Sequence, residues 1–193
     1  MFPISMITGE PNWNSLPAAK IINYPLEKAD YKPYAQARLC VSNDNMHIQL
    51  LAFEADPDPK SIVGAALAFF PDEDGGKRYF WLSTNRSGAE VCKFIDEKNG
   101  TETDVSRSVA LRIYTGEDEQ GIYWCSSFTL PLEHAEKFYG FHHLEAGHKM
   151  LGNFYKLCDC ASRPHYGSFY PADFTDLNPL GSKYFGELEL TLY

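Results

Sequence analysis

The chain has 193 residues, 17 of them basic and 26 acidic, for a formal net charge of −9. That length fits one domain with a proper core, expected to span residues 1–193. The acidic balance supplies no basic stripe for phosphate groups, which argues against nucleic acid and against an anionic membrane surface as partners.

The first residues, 1–7, carry no basic segment and no long apolar segment, so no signal peptide is expected, and no apolar run nears the ~18 residues of a membrane span. Five cysteines form an odd count that does not read as a full disulfide framework. A reducing, cytoplasmic setting is the simplest expectation from both features.

Short alternating runs cut by turn residues predict an all-β chain. Ala35, Ala37, Leu39 and Val41 alternate with Gln36 and Arg38. Asn43, Asp44 and Asn45 then turn the chain into Met46, Ile48, Leu50 and Ala52. The stretch 56–60, with Pro57 and Pro59, is a loop. Residues 62–70 are nearly all apolar and predict a strand buried on both faces. Further strands are expected at 77–85, 89–95 and 122–130, from Val109 onward, and from Gly152 to Cys158. Asn99 and Gly100 signal a hairpin. Pro131, Glu133, Glu136 and a terminal Gly140 predict one short helix. Leu188, Leu190 and Leu192 alternate with Glu187, Glu189 and Thr191 in a half-buried final strand. Nine or ten strands with frequent turns imply a single β-sandwich of jelly-roll type.

Most chemical motifs are missing. No nucleophile elbow, Walker loop or dinucleotide glycine pattern occurs. His142, His143 and His148, near Glu145, match no zinc signature, and a solvated loop is expected there. Cys158 and Cys160 share one face of a strand and read as small buried residues. No metal centre and no cofactor is therefore expected, although calcium at an acidic tip such as Asp72 to Asp74 or Glu117 to Glu119 stays compatible with oxygen-rich loops. Trp124 is expected in the core, and Trp13 is expected to pin the N-terminal segment.

The aromatic positions carry the functional signal. Tyr166, Phe169 and Tyr170 follow closely on the strand that contains Asn153. Flat rings suit the C–H face of a sugar, and polar neighbours suit its hydroxyls. In the run 79–83, Tyr79, Trp81 and Ser83 share one face and Phe80 and Leu82 the other. Trp81 is thus either an outer platform or an inter-sheet core residue. The expected ligand-binding set is Tyr166, Phe169, Tyr170 and Trp81, with Asn85, Arg86 and Asn153 as hydrogen-bonding partners. No catalytic residue is expected.

Several segments, in order, resemble the family 9 carbohydrate-binding modules within the DOMON-like β-sandwich group. They are Trp13 with PAAKI at 17–21, ARLCVSNDNMHIQLLAFE at 37–54, YFWLSTNRSG at 79–88 and YTGEDEQGIYWCSSFTLPLE at 114–133. GNFYK at 152–156, PHYGSF at 164–169 and YFGELEL at 184–190 complete the set. The resemblance implies a non-catalytic sandwich that binds oligo- or polysaccharide, in which two tryptophans clamp the sugar. Neither clamp segment, before and through 62–70 or at 176–183, contains a tryptophan in this chain. An interaction or structural domain of the same fold, without a sugar site, is the alternative. Two other readings are an enzyme using His165 with Asp159 or Cys160, and a haem module using Met46 or His47.

Overall fold

The alternating runs become strands, and their pairing bends them into two facing layers. The computed structural model describes residues 1–26, 30–42, 44–71, 75–140 and 144–192, with only the backbone of Ala135. In chain order the strands are β1 (Phe2–Ile7), β2 (Ala19–Ile21), β3 (Ala35–Ser42), β4 (Asn45–Ala52), β5 (Ser61–Ala68), β6 (Arg78–Asn85) and β7 (Glu90–Asp96). They continue with β8 (Thr101–Asp104), β9 (Ala110–Asp118), β10 (Gly121–Pro131), β11 (Lys149–Cys158), β12 (His165–Ser168) and β13 (Gly186–Leu192). The helix, α1, is Glu133–Tyr139 and stops at Gly140, whose φ of 83° is a left-handed value suited to glycine. Pro131, expected to open the helix, instead closes β10.

The hydrogen-bonded path runs β8-β7-β6-β5-β11-β13-β1-β3-β4-β10-β9, with β12 beside β11 and β2 beside β3. The path curls so that its two halves enclose one core, and the fold is an all-β sandwich with one helix. Ile4, Leu39, Ile48, Trp124 and Phe128 from one half meet Leu67, Phe80, Leu82 and Phe154 from the other. Trp124 is fully buried, as expected. Among the described residues there are thirteen strands, more than the nine or ten expected. The additions are β1, β2, β8 and β12, which are short, contain Pro3 or Gly167, or, like β8, have all four residues exposed. Such segments acquire strand geometry from their neighbours rather than from an apolar pattern. Thus β1 lies parallel to both β13 and β3.

At one end of the sandwich the core holds an ion pair. Lys156 Nζ lies 3.1 Å from Glu54 Oε2, and both side chains are almost wholly buried. The ammonium also donates to Ser61 Oγ and, at 2.8 Å, to His165 Nε2. Its three protons therefore have three acceptors. Glu54 receives further bonds from Trp124 Nε1 at 3.1 Å and from Ser61 Oγ at 3.0 Å. Burial pushes the Glu54 carboxyl up, but the Lys156 charge and these donors outweigh it and hold it below its ordinary value. Burial, followed by the Lys156 ammonium, lowers His165 to about 4, so the ring stays neutral and its Nδ1 serves as donor to the Arg163 carbonyl, 2.8 Å away.

Both depressed values act in the same direction. The contribution of neutral His165 is complete above its unfolded value of 6.5 and is lost as pH falls toward about 4. The Glu54 contribution is present above its unfolded value of 4.5 and is lost at still lower pH. The melting temperature should therefore fall as pH is lowered from neutrality, and His165→Gln should flatten that slope in the upper part of the range. A melting temperature that rises on acidification would contradict this assignment. Lys156→Met leaves the Glu54 carboxyl buried without its cation and should cost about 3–5 kcal/mol in denaturant unfolding.

Candidate ligand groove

At β6 Trp81 lies on the outer sheet face rather than between the sheets, but there it and Tyr79 are mostly buried in a second apolar cluster, 8% and 3% exposed. Phe80 and Leu82 face the main core, whereas Tyr79 and Trp81 face outward beside Ala66, Ala68 and Tyr155. That outer face is apolar, and the segment 171–185 crosses it as a strap. The strap lays Ala172, Phe174, Leu180, Tyr184 and Phe185 on the sheet. The Tyr79 and Phe185 rings meet edge to face at 4.9 Å. Gly64 on β5 leaves room for the indole, since a Cβ there would stand 2.6 Å from Trp81 Cη2.

Two side chains fix the strap. Asn153 donates to the carbonyls of Tyr170 and Tyr184, at 3.0 and 2.9 Å, and accepts from the Tyr170 amide at 2.8 Å. One buried amide thus holds both ends. Near the middle, Glu97 Oε1 accepts from Tyr79 Oη, Asn178 Nδ2 and the Ser182 amide, each at 3.1 Å, while its Oε2 accepts from Ser182 Oγ at 2.5 Å. Within the strap, Asp176 accepts from Tyr184 Oη at 2.6 Å and pairs with Lys183.

Beside the strap the outer face stays open as a groove of about 930 Å³. Its floor includes Tyr79, Trp81, Val91 and Ile95, and Asn178 and Leu180 form the wall on the strap side. Lys93, directly across from Trp81 on β7, and Glu102 on β8 also line the groove, and their charged ends lie 2.5 Å apart. Trp81 keeps 8% of its surface accessible. A ring floor with an amide, an ammonium and a carboxylate at its margin can hold an uncharged polyhydroxylated ligand by apolar contact and hydrogen bonds.

The seven residues expected at a site do not converge. Trp81 lines the groove. Asn85 and Arg86 lie at the far end of β6, with Asn85 four residues beyond Trp81, about 13 Å along a strand. There they bond to the carbonyls of Pro59 and Ala55, both at 2.9 Å. Asn153 is fully buried, and its amide is taken up by the strap. Phe169 packs on Phe2 and Phe154 of the core. Tyr170 lies over Gly186 and donates to the Glu187 carbonyl at 2.6 Å. Tyr166 is half-buried, tilted against Phe174, with its hydroxyl on Asp159 at 2.9 Å.

Other sequence candidates are also placed. His148 bonds to the Phe69 carbonyl at 2.7 Å, while His142, His143 and the 72–74 tip lie outside the described residues. His47 sits 2.6 Å from Ser42 Oγ, on the opposite strand face from the buried Met46. His165 addresses Lys156, as described above, and Asp159 addresses Tyr166. Glu97 was the residue the sequence did not single out. Its signal is long-range, since its four donors come from positions 79, 178 and 182.

Glu97→Ala removes a charged acceptor and leaves the Tyr79 hydroxyl unpartnered in a buried place. It should cost about 2 kcal/mol and raise amide exchange across 173–183 while β3 and β4 stay protected. Unchanged exchange in the strap would show that Glu97 does not anchor it.

No protein-family model matches the sequence, and comparison with curated proteins gives no significant match. Solved structures do match. A candidate carbohydrate-binding protein from Bacteroides uniformis superposes with a TM-score of 0.73 at 17% identity, covering 98% of each chain. A family 9 carbohydrate-binding module from Caldicellulosiruptor kristjanssonii in complex with cellotriose gives 0.62 at 14% identity, covering 99% of this chain and 94% of that one. A family 9 module from the same organism in complex with glucose gives 0.61 at 15% identity, covering 100% and 96%. Full-length superposition on these structures, with the strand path described above, shows that the chain has the β-sandwich fold of family 9 carbohydrate-binding modules.

Proposed function

We propose that the chain is a non-catalytic carbohydrate-binding module whose ligand lies in the groove over Trp81. The observation that carries this reading is the open trough of about 930 Å³, floored by Tyr79 and Trp81 and edged by Lys93, Glu102 and Asn178. Its volume suits one or a few sugar units. The structural neighbours include modules bound to cellotriose and to glucose, which supports a glucose-type oligosaccharide as the first ligand to try. The strap that flanks the groove also contains the segment 176–183, one of the places where the family resemblance puts a clamping ring. In this chain Asn178 and Leu180 occupy that wall. With one shallow ring contact the affinity is expected to be weak, because little free energy remains after the cost of association.

The same face also suits a second reading, an interaction or structural domain without a sugar site. Trp81 exposes only 8% of its surface, which favours this alternative. Calorimetry and affinity electrophoresis with soluble glucans separate the two. Trp81→Ala should weaken binding on the order of tenfold, about 1.4 kcal/mol. Asn178→Ala should also weaken it, with a small loss of stability because the Asn178 amide also donates to Glu97 in the strap anchor, whereas Tyr166→Ala should leave it unchanged. Loss in Tyr166→Ala with retention in Asn178→Ala and Trp81→Phe would move the site to the Tyr166 cluster. No binding by the unaltered chain to any glycan would favour the interaction domain.

A further inference from the structure

The thiols of Cys158 and Cys160 and the carboxylate of Asp58 converge at the end of the sandwich occupied by the buried ion pair. One donor atom from each lies within 4.8 Å of the other two. We propose that these three residues form a binding site for a thiophilic divalent cation, with zinc as the ion to test. The groove argument plays no part in this, and the two sites stand or fall separately.

The convergence is built by the fold. Cys158 ends β11, where its backbone is in register with Ser61 of β5 and His165 of β12. The turn before β5 is set by two bonds of 2.8 Å, from the Ser61 amide to the Asp58 carbonyl and from the Lys60 amide to Asp58 Oδ1. Those bonds deliver the carboxylate to the end of β11. After Cys158 the chain leaves the strand, and Cys160 Sγ accepts from the Arg163 amide at 3.4 Å, with Ser162 Oγ at 3.8 Å. An amide aimed at sulfur is the kind of outer support that orients a metal thiolate.

The donor set fits zinc better than calcium or magnesium, which take oxygen ligands alone. Bond lengths of ~2.3 Å to sulfur and ~2.0–2.2 Å to oxygen put donors roughly 3.5–3.8 Å apart in a tetrahedron, within the observed spread. Cys160 is 8% exposed and Asp58 is half-buried, so an ion and a water in the fourth position have access from solvent. The nearby Lys156 ammonium is already neutralised by Glu54. Both thiols are free, and Cys40, Cys92 and Cys125 are buried on other strands. Binding converts two thiols to thiolates, so their protons pass to solvent as the metal enters. The bound ion would staple the end of β11 to the turn before β5.

Cobalt(II) titration of the fully reduced chain reads the ligands directly. One ion per chain should give sulfur-to-cobalt charge-transfer bands together with tetrahedral visible bands, and zinc should displace it with release of protons. Cys160→Ser should lose the charge-transfer intensity of one thiolate and bind weakly. Asp58→Asn, a half-buried surface change that leaves the strands intact, should keep the charge-transfer bands and lose most of the affinity. Zinc should raise the melting temperature of the unaltered chain and not that of Cys160→Ser. Absence of charge-transfer bands in the reduced chain, or bands that persist unchanged in Cys160→Ser, would overturn the proposal.

Discussion

An apolar sheet face that points away from the core must be covered, and that requirement organises the outer face of this molecule. Tyr79, Trp81, Ala66, Ala68 and Tyr155 cannot be left open to water at no cost. The strap meets the requirement over β5, β11 and part of β6. It is itself irregular, so its hold depends on polar anchors rather than on a strand ladder. Asn153 grips both ends and Glu97 the middle. What the strap leaves uncovered, over β6, β7 and β8, is the groove. The wall, the floor and the limits of the groove therefore follow from one packing problem and two side chains.

The same logic explains how much was legible in the sequence. Strand periodicity located Phe80 and Leu82 on one face and Trp81 on the other, and it showed β5 as apolar on both faces. The reason for the second face appears only in three dimensions, since it lies beneath a strap more than a hundred residues along the chain. Asn153 looked like a sugar donor because an amide beside rings has that chemistry. In the fold it is buried, and backbone groups of Tyr170 and Tyr184 use it. The rings of Phe169 and Tyr170 are close to it in sequence for the same structural purpose. Strands β1, β2, β8 and β12 were hidden because their own residues carry little pattern, and their neighbours impose the extended form.

Identity of 14–17% to structures superposing over nearly the whole chain shows how loosely such a sandwich constrains sequence. The core needs alternation and volume, which many residue combinations supply. The polar features are more demanding locally, because each buried donor needs its acceptor in place. Glu54, Lys156, Ser61 and His165 form a closed set of donors and acceptors at one end of the core, and each depends on the others to remain buried. Glu97 and Asn153 are comparable on the outer face. These few contacts hold the buried ion pair together and fix where the strap lies.

The most direct measurement is nuclear magnetic resonance of the three indole N–H groups during titration with cello-oligosaccharide. Trp124 is locked on Glu54 inside the core, and Trp13 lies in the N-terminal segment, so the three report on separate places. Binding in the groove predicts a progressive shift of the Trp81 indole and of the Lys93 and Ile95 amides, with Trp124 still. Shifts confined to the segment 166–170, with the Trp81 indole unmoved at saturation, would contradict the groove as the sugar site.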